Sequence, residues 1–357
     1  MKKLLILAAA AALVLAASCT KNETVNNVPA EQHLIGFANY VPRSLSKAAK
    51  ANYVEGATLI KDATFAVYAW SYGNTATFNP SEVPDFMAPA VVTYNDNTTD
   101  GETNTYSPVR YWPAGDAPDK LAFFSYYPEN GAGITAPKND RKEATGLGEF
   151  TFTAQSTAAE QVDFCVADLV PDQVYGATNA SPKYPRTVKF LFHHMLTKVG
   201  VKFKAAAEYD GATIAITKAE FQGINNEGTL TAAYADGETT TTWDGRKGDA
   251  TFAVKYPANL STTASSVADA DLFLMVPQVL DAQVLHVEWT VTMGDVVTKN
   301  AANLVLKNCK DASENAIDEW KKNNFITYTI SIGLKPIWFT AEVGAWDDET
   351  VGTFDVE

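Results

Sequence analysis

Cysteine is scarce in this chain: three in 357 residues, at Cys19, Cys165 and Cys309. A disulfide framework needs pairs at much higher density, so none is expected. Histidine numbers only four, and no Cys/His spacing of a zinc motif occurs. His193 and His194 in "FHHMLTK" are adjacent, and neighbours in a strand point to opposite faces, so the two cannot grip one ion together there; one packed and one surface histidine is expected. The chain lacks a G-x-S-x-G elbow and a glycine-rich phosphate loop, and "YNDNTTDGE" does not have the order of an EF-hand loop. These absences argue against an enzyme and leave no catalytic residues, no metal site and no cofactor to nominate. "WDDE" at 346–349 reads as a solvated charge run, not a catalytic pair. Basic residues are also in deficit, 28 against 42 acidic, for a net charge of −14. A phosphate-binding surface requires the opposite sign, which argues against a nucleic-acid partner. Helical periodicity is nearly absent; "DASENAIDEWKKN" is the best case, with Asp311 or Ser313 as cap and Ile317 and Trp320 on one face.

Long apolar runs are missing too, with one exception. Lys2 and Lys3 precede an unbroken apolar run of 14 residues, 4–17. It is too short to span a bilayer as a helix and fits the core of a secretory signal peptide, 1–18. Ala16, Ala17 and Ser18 are the small residues a signal peptidase requires. Cys19 then has two readings: an ordinary thiol beside a cleavage site, or the acylated first residue of a lipoprotein, since "LAASC" resembles a bacterial lipobox. Acyl chains bury about 0.8 kcal/mol per methylene, so several of them anchor firmly. Residues 19–33 are polar and aperiodic and read as a stalk. Cys165 in "VDFCVADLV" reads as a buried thiol; whether it meets Cys309 is open.

Hydrophobic residues at 46% are enough for real cores, and the length suggests two domains. The dominant period is two. "ATFAVYAW" sets Phe65, Val67 and Ala69 against Ala66, Tyr68 and Trp70. "LHVEWTVTM" sets Leu285, Val287, Trp289, Val291 and Met293 on one face, and "FITYTISIGL" does so with Ile326, Tyr328, Ile330, Ile332 and Leu334. "PIWFTAEVGAW" alternates in the same way. One buried and one wet face is the pattern of antiparallel sheets. Further strands are expected at "LIGFANY", "KLAFFSYY", "TVKFLF", "TKVGVKFKA", "ATIAITKAEF" and "DLFLMVP", separated by turn-rich segments. Many short strands with long turns imply an all-β fold of two β-sandwich domains, 34–185 and 186–357, with at most short helices and with 171–186 as the linker. The aromatics of "RYWP" and "FFSYYP" (Tyr111, Trp112, Phe123, Phe124, Tyr126 and Tyr127) serve either as core or as an exposed platform for sugars.

The order of these pieces resembles one family. A lipobox is followed by "IGFANYVPRS", "FAVYAW", "RYWP…KLAFFSYYP", "VDFCVAD", "VKFLFHHMLTKVGVKF" and a closing "WKKNNFITYTISIGLKPIWFTAEVGAW". This is similar to the fimbrillin-like proteins of Bacteroidetes, subunits of type V pili, over about residues 35–346. The resemblance implies two transthyretin-like sandwich domains in a lipoprotein carried to the outer membrane and the cell surface. It implies that a trypsin-like maturation protease cuts after a basic residue and removes the first strand with its lipid. A neighbouring pilus subunit then fills the opened groove by strand exchange. On this chain the first strand would be "LIGFANY", the cut Arg43, with Lys47 and Lys50 as alternatives, and the donor the C-terminal region, 337–357. Arg43 is equally readable as a solvated loop arginine. A host or glycan receptor is a further partner. The alternative function is a monomeric surface lipoprotein that binds glycans through exposed aromatics.

Overall fold

The protein is represented by a computed structural model that describes residues 33–40, 63–95, 104–131, 133–135, 147–175, 187–311, 313–334 and 338–346. The expected signal peptide, Cys19, the stalk up to residue 32, the candidate cut sites Arg43, Lys47 and Lys50, and residues 347–357 lie outside the described residues.

The chain is all-β. Up to residue 194 it forms β1 (Gly36–Tyr40), β2 (Thr64–Tyr72), β3 (Met87–Thr93), β4 (Thr105–Tyr106), β5 (Lys120–Tyr127), β6 (Ile134–Thr135), β7 (Gly148–Thr153), β8 (Cys165–Ala167), β9 (Val170–Gln173) and β10 (Thr187–His194). It continues with β11 (Thr197–Ala205), β12 (Ala212–Ile224), β13 (Glu227–Ala235), β14 (Glu238–Lys247), β15 (Ala250–Ala253), β16 (Phe273–Met275) and β17 (Gln278–Val279). It closes with β18 (Val284–Met293), β19 (Val296–Val305), β20 (Glu319–Trp320), β21 (Asn324–Ile332) and β22 (Trp338–Ala345). Among the described residues the helical elements are three single 3-10 turns, Ala158–Glu160, Asp269–Asp271 and Leu306–Asn308.

An eight-stranded sheet runs β1-β10-β8-β5-β2-β3-β4, with β9 also on β5. Its middle strands are rich in aromatic and β-branched residues, which suit a pleated surface. Both faces of β2 and β5 are buried, where the alternation of β2 predicts one wet face. Phe65, Val67 and Ala69 join Phe123, Phe190 and Phe192 in one core. Ala66, Tyr68 and Trp70 join Phe124, Phe150 and Phe164 in another. The outer face of the sheet is covered by a second layer, so the near-continuous apolar run "LAFFSYY" is what a doubly covered strand requires.

The second core is shared by three four-stranded sheets: β14-β13-β7-β6, β15-β12-β18-β19 and β16-β11-β21-β22. In β21, Ile326, Tyr328, Ile330 and Ile332 are all fully buried, as their spacing predicts, whereas Leu334 is exposed just past the strand end. On β18 the buried face stops at Trp289, and Met293 is exposed where the β18–β19 hairpin outruns the core.

Three expectations are corrected. "DASENAIDEWKKN" is not a helix: Lys310 bridges Ala316, the Asp311 carboxylate accepts the backbone N–H of Ser313 and Asn315 at 2.8 and 2.9 Å, and Trp320 sits in β20. Asp311 caps a turn rather than a helix, yet Ile317 and Trp320 are buried as expected. The first residues of the expected linker are strand, because β9 pairs with β5, and 176–186 lie outside the described residues. His33, expected at the end of the stalk, stacks flat on Tyr175 with ring centroids 3.7 Å apart.

The two halves of the chain interlock. β7, from before the expected division at 185/186, pairs with β13 from after it. β10, which follows that division, pairs with β1 and β8. β10 leads into β11 through Met195 and Leu196, both buried, and the Trp243 indole N–H donates to the Met195 carbonyl at 2.8 Å.

A buried polar contact in the second core is the Trp320 indole N–H donating to the Tyr328 hydroxyl at 2.9 Å, both side chains fully buried. Tyr328→Phe leaves that N–H without a partner and is expected to cost about 1–3 kcal/mol. Phe221→Ala, which removes a ring packed edge-on against both, is expected to cost about 3–5 kcal/mol. Urea denaturation followed by tryptophan fluorescence measures both, and a larger loss for Tyr328→Phe would refute this ranking.

Candidate functional site: the lane that holds the first strand

The period-two pattern of "LIGFANY" puts Ile35 and Phe37 on one face, and both are fully buried. The Phe37 ring packs 5.1 Å from Tyr106 and 5.9 Å from both Phe123 and Phe190. Burying such a side chain contributes about 1.5–3 kcal/mol. β1 runs parallel to β10, in register from Gly36 opposite Thr187 to Tyr40 opposite Leu191.

The other side of the strand is also occupied. Leu34 bridges Tyr111, the Ile35 N–H donates to the Arg110 carbonyl at 3.0 Å, and the Trp112 N–H donates to the His33 carbonyl at 2.9 Å. Two side chains continue this border where backbone pairing stops. The Asn104 amide donates to the Phe37 carbonyl at 2.8 Å, while its own carbonyl accepts the Asn95 N–H at 3.0 Å. The Tyr106 hydroxyl donates to the Ile35 carbonyl at 2.8 Å. Burial raises the Tyr106 pKa, which keeps the phenol protonated and able to donate. Residues 34–40 therefore fill a lane between β10 and the 104–112 segment, and the eight-stranded sheet curls until its ends meet across them. Without this strand the lane exposes a row of unpaired backbone groups and the apolar socket of Phe37.

The fimbrillin-like family model matches residues 52–346, most of the chain. The chain belongs to the fimbrillin-like family. Among solved structures, a fimbrial protein from Bacteroides vulgatus is similar at 19% identity and a TM-score of 0.55, over 88% of this chain and 99% of that one. A candidate cell-adhesion protein from Bacteroides uniformis is similar at 16% identity and a TM-score of 0.48, with the same coverage of each chain. The comparison with curated proteins found no match.

The other expected site residues of this fimbrillin-like chain divide sharply. Of the six aromatics considered for a sugar platform, Trp112, Phe123, Phe124, Tyr126 and Tyr127 are buried and only Tyr111 is exposed. The platform on which the glycan alternative rests is core instead, because the sheet carrying these residues is covered on both faces. His193 and His194 point to opposite sides, as strand geometry requires: the His193 ring meets the half-exposed Asp168 at 3.0 Å, and His194 is buried. Neither Cys165 nor Cys309 forms a disulfide, and both are buried. Asp168, His193 and His194 border a cavity of about 620 Å³ between β10 and the β13–β14 turn, which Glu238 and Lys322 also line. The Lys322 ammonium donates to the Thr241 carbonyl at 3.0 Å, and burial lowers its pKa.

Sequence reasoning missed Asn104 and Tyr106, which sit in the turn-rich "GETNTYSP" where no periodicity marks them. It also missed the approach of Asp163 to His194, although Asp163 and Cys165, two residues apart, share a parity that signals a common face.

Phe37→Ala empties the socket and is expected to cost about 3–5 kcal/mol. Its loss should fall on the β1 seam: hydrogen exchange at β10 amides is expected to speed up while that of β21 is unchanged. Uniform acceleration in both strands would contradict a local role.

Proposed function

We propose that this fimbrillin-like chain is a structural and adhesive subunit of a type V pilus, without enzymatic activity, that polymerises by strand exchange. The observation that carries this reading is the lane: a short first segment, 34–40, held on both sides, whose removal would vacate a groove shaped for an extended peptide. The chain leaves that strand at Tyr40 and reaches Arg43 three residues later, with Lys47 and Lys50 following. A trypsin-like protease acting at Arg43 would release β1 and everything before it.

Strand addition then supplies what the cut removes. Backbone hydrogen bonds give affinity, and alternate side chains entering the Phe37 socket give register. The donor is the C-terminal region of a neighbouring copy. Trp338–Ala345 is already paired with β21 in its own chain, so residues 347–357, with Val351, Phe354 and Val356, are what a copy has to offer. Each copy accepts at one place and donates from another; such a contact does not close on itself and yields a filament. Cys19, acylated, is the outer-membrane tether of the unprocessed form, and the mature subunit is on the cell surface. The pairing of β10 with β1 and β8 favours two sandwich units whose exchange point along the chain is at Met195–Leu196 rather than before β10.

Trimming the purified chain with trypsin is expected to give SDS-resistant ladders, and the Arg43→Gln/Lys47→Gln/Lys50→Gln variant is expected to stay monomeric under the same treatment. Trimmed chains that persist as monomers would end the exchange reading. Cys19→Ser is expected to move the protein out of the membrane fraction; unchanged outer-membrane association would end the tether.

A further inference from the structure

Asp163 and Cys165 lie two residues apart where the chain enters β8, so an extended backbone carries both side chains on one face. β8 pairs antiparallel with β10 and sets His194 directly opposite Cys165. β5 sets Tyr127 opposite Cys165 on the other side. A carboxylate, a thiol and an imidazole thereby meet at one end of the first core, all of them buried: Asp163 and Cys165 are 0% exposed and His194 is 2% exposed. The Asp163 Oδ2 lies 2.8 Å from the His194 Nδ1. The Cys165 Sγ lies 3.6 Å from each of them.

These separations have a chemical meaning. A tetrahedral zinc ion bound at about 2.0–2.3 Å holds neighbouring N, O and S ligand atoms roughly 3.3–3.6 Å apart. The two distances from sulfur match that requirement, and the Asp163–His194 distance needs to open by only about 0.5 Å. The set is well chosen for the task, because thiolate with imidazole favours zinc-like ions over magnesium or calcium. It is also an expensive arrangement for a core that does no more than pack, since a fully buried carboxylate loses its hydration. The His194 Nε2 is buried without a hydrogen-bond partner, and the Trp346 indole stacks on the imidazole at 4.2 Å.

We propose that Asp163, Cys165 and His194 form a binding site for one divalent transition-metal ion of the zinc class. Binding replaces the thiol proton of Cys165, which leaves to solvent, and takes the Nδ1 lone pair of His194, so that the ring proton resides on Nε2. Thiolate and carboxylate then balance the two charges of the ion. Three protein ligands leave one tetrahedral position for a water. His194 also borders the cavity between β10 and the β13–β14 turn, which gives the ion a route in. The bound ion would tie β8 to β10, the strand on which β1 rests, under the aromatic cover of Trp346 at the end of β22.

The test is optical titration of the full chain, stripped with a chelator, with Co²⁺ as probe. The expected result is one equivalent bound, a thiolate-to-cobalt charge-transfer band in the near ultraviolet, and partial quenching of tryptophan fluorescence that Trp346→Phe abolishes. Cys165→Ser should lose the band, Cys309→Ser should keep it, and His194→Gln should weaken binding by at least about tenfold, the lower end of what loss of even an outer partner costs. If Cys165→Ser does not fold, the wild-type titration still decides. A stripped wild-type chain that keeps its β-sheet circular dichroism yet shows no charge-transfer band at saturating cobalt would overturn the proposal, and so would a band that depends on Cys309. In either case the three residues form a hydrogen-bonded cluster only.

Discussion

The closure of the eight-stranded sheet by β1 is the constraint on which the architecture of the first core depends. A sheet that curls around an apolar interior must either complete its ring of hydrogen bonds or expose two edges beside that interior. Here residues 33–40 complete it, against β10 on one side and the 104–112 segment on the other. Ile35 and Phe37 belong to the first core, and among the described side chains none of β1 belongs to the second. The two cores therefore meet the strand unequally: the side chains of Ile35 and Phe37 pack into the first core, and the layers built from β7, β11–β16, β18 and β21 pack into the second. This asymmetry is what the proposed exchange of one strand requires of the rest of the molecule.

The interlock gives the second core its independence. β7 reaches across to β13, the backbone N–H of Leu169 donates to the Thr239 hydroxyl at 2.8 Å, and the buried Gln161 side chain accepts the backbone N–H of Leu274. Contacts of this kind join segments distant in sequence, so their loop entropy is spent once, on folding of the whole. The lane is different. Its partners, Gly36 and Thr187, are also distant in sequence, but β1 is short and its Phe37 packs into the first core.

Much of the fold was legible because side-chain alternation is a local signal. Ile326, Tyr328, Ile330 and Ile332 announce one buried face and have it, and "LIGFANY" announces a strand and forms one. What was not legible depends on neighbours that the sequence brings from afar. β2 alternates in a manner that suggests a wet face, yet a second layer covers it. The spacing of Ile317 and Trp320 suits a helix, but the Asp311 carboxylate is used by a turn and the residues reach the core on extended backbone. At the lane, Phe37 could be picked out by its parity; Asn104 and Tyr106 could not, because what makes them matter is the carbonyl each one happens to face. The buried histidine of the adjacent pair was expected, while its carboxylate and thiol neighbours became visible only once β8 lay beside β10.

The direction of β1 has a mechanical consequence. Because it runs parallel to β10, the start of β1 and the end of β10 lie at opposite ends of the pairing. Tension drawn between the chain before residue 36 and the body that continues from β10 into β11 pulls along both strands at once. All the inter-strand bonds then resist together, in shear, instead of parting one after another like a zip. A ribbon seated in this direction holds against tugging along its axis, yet can still be lifted from one end when the pull turns sideways.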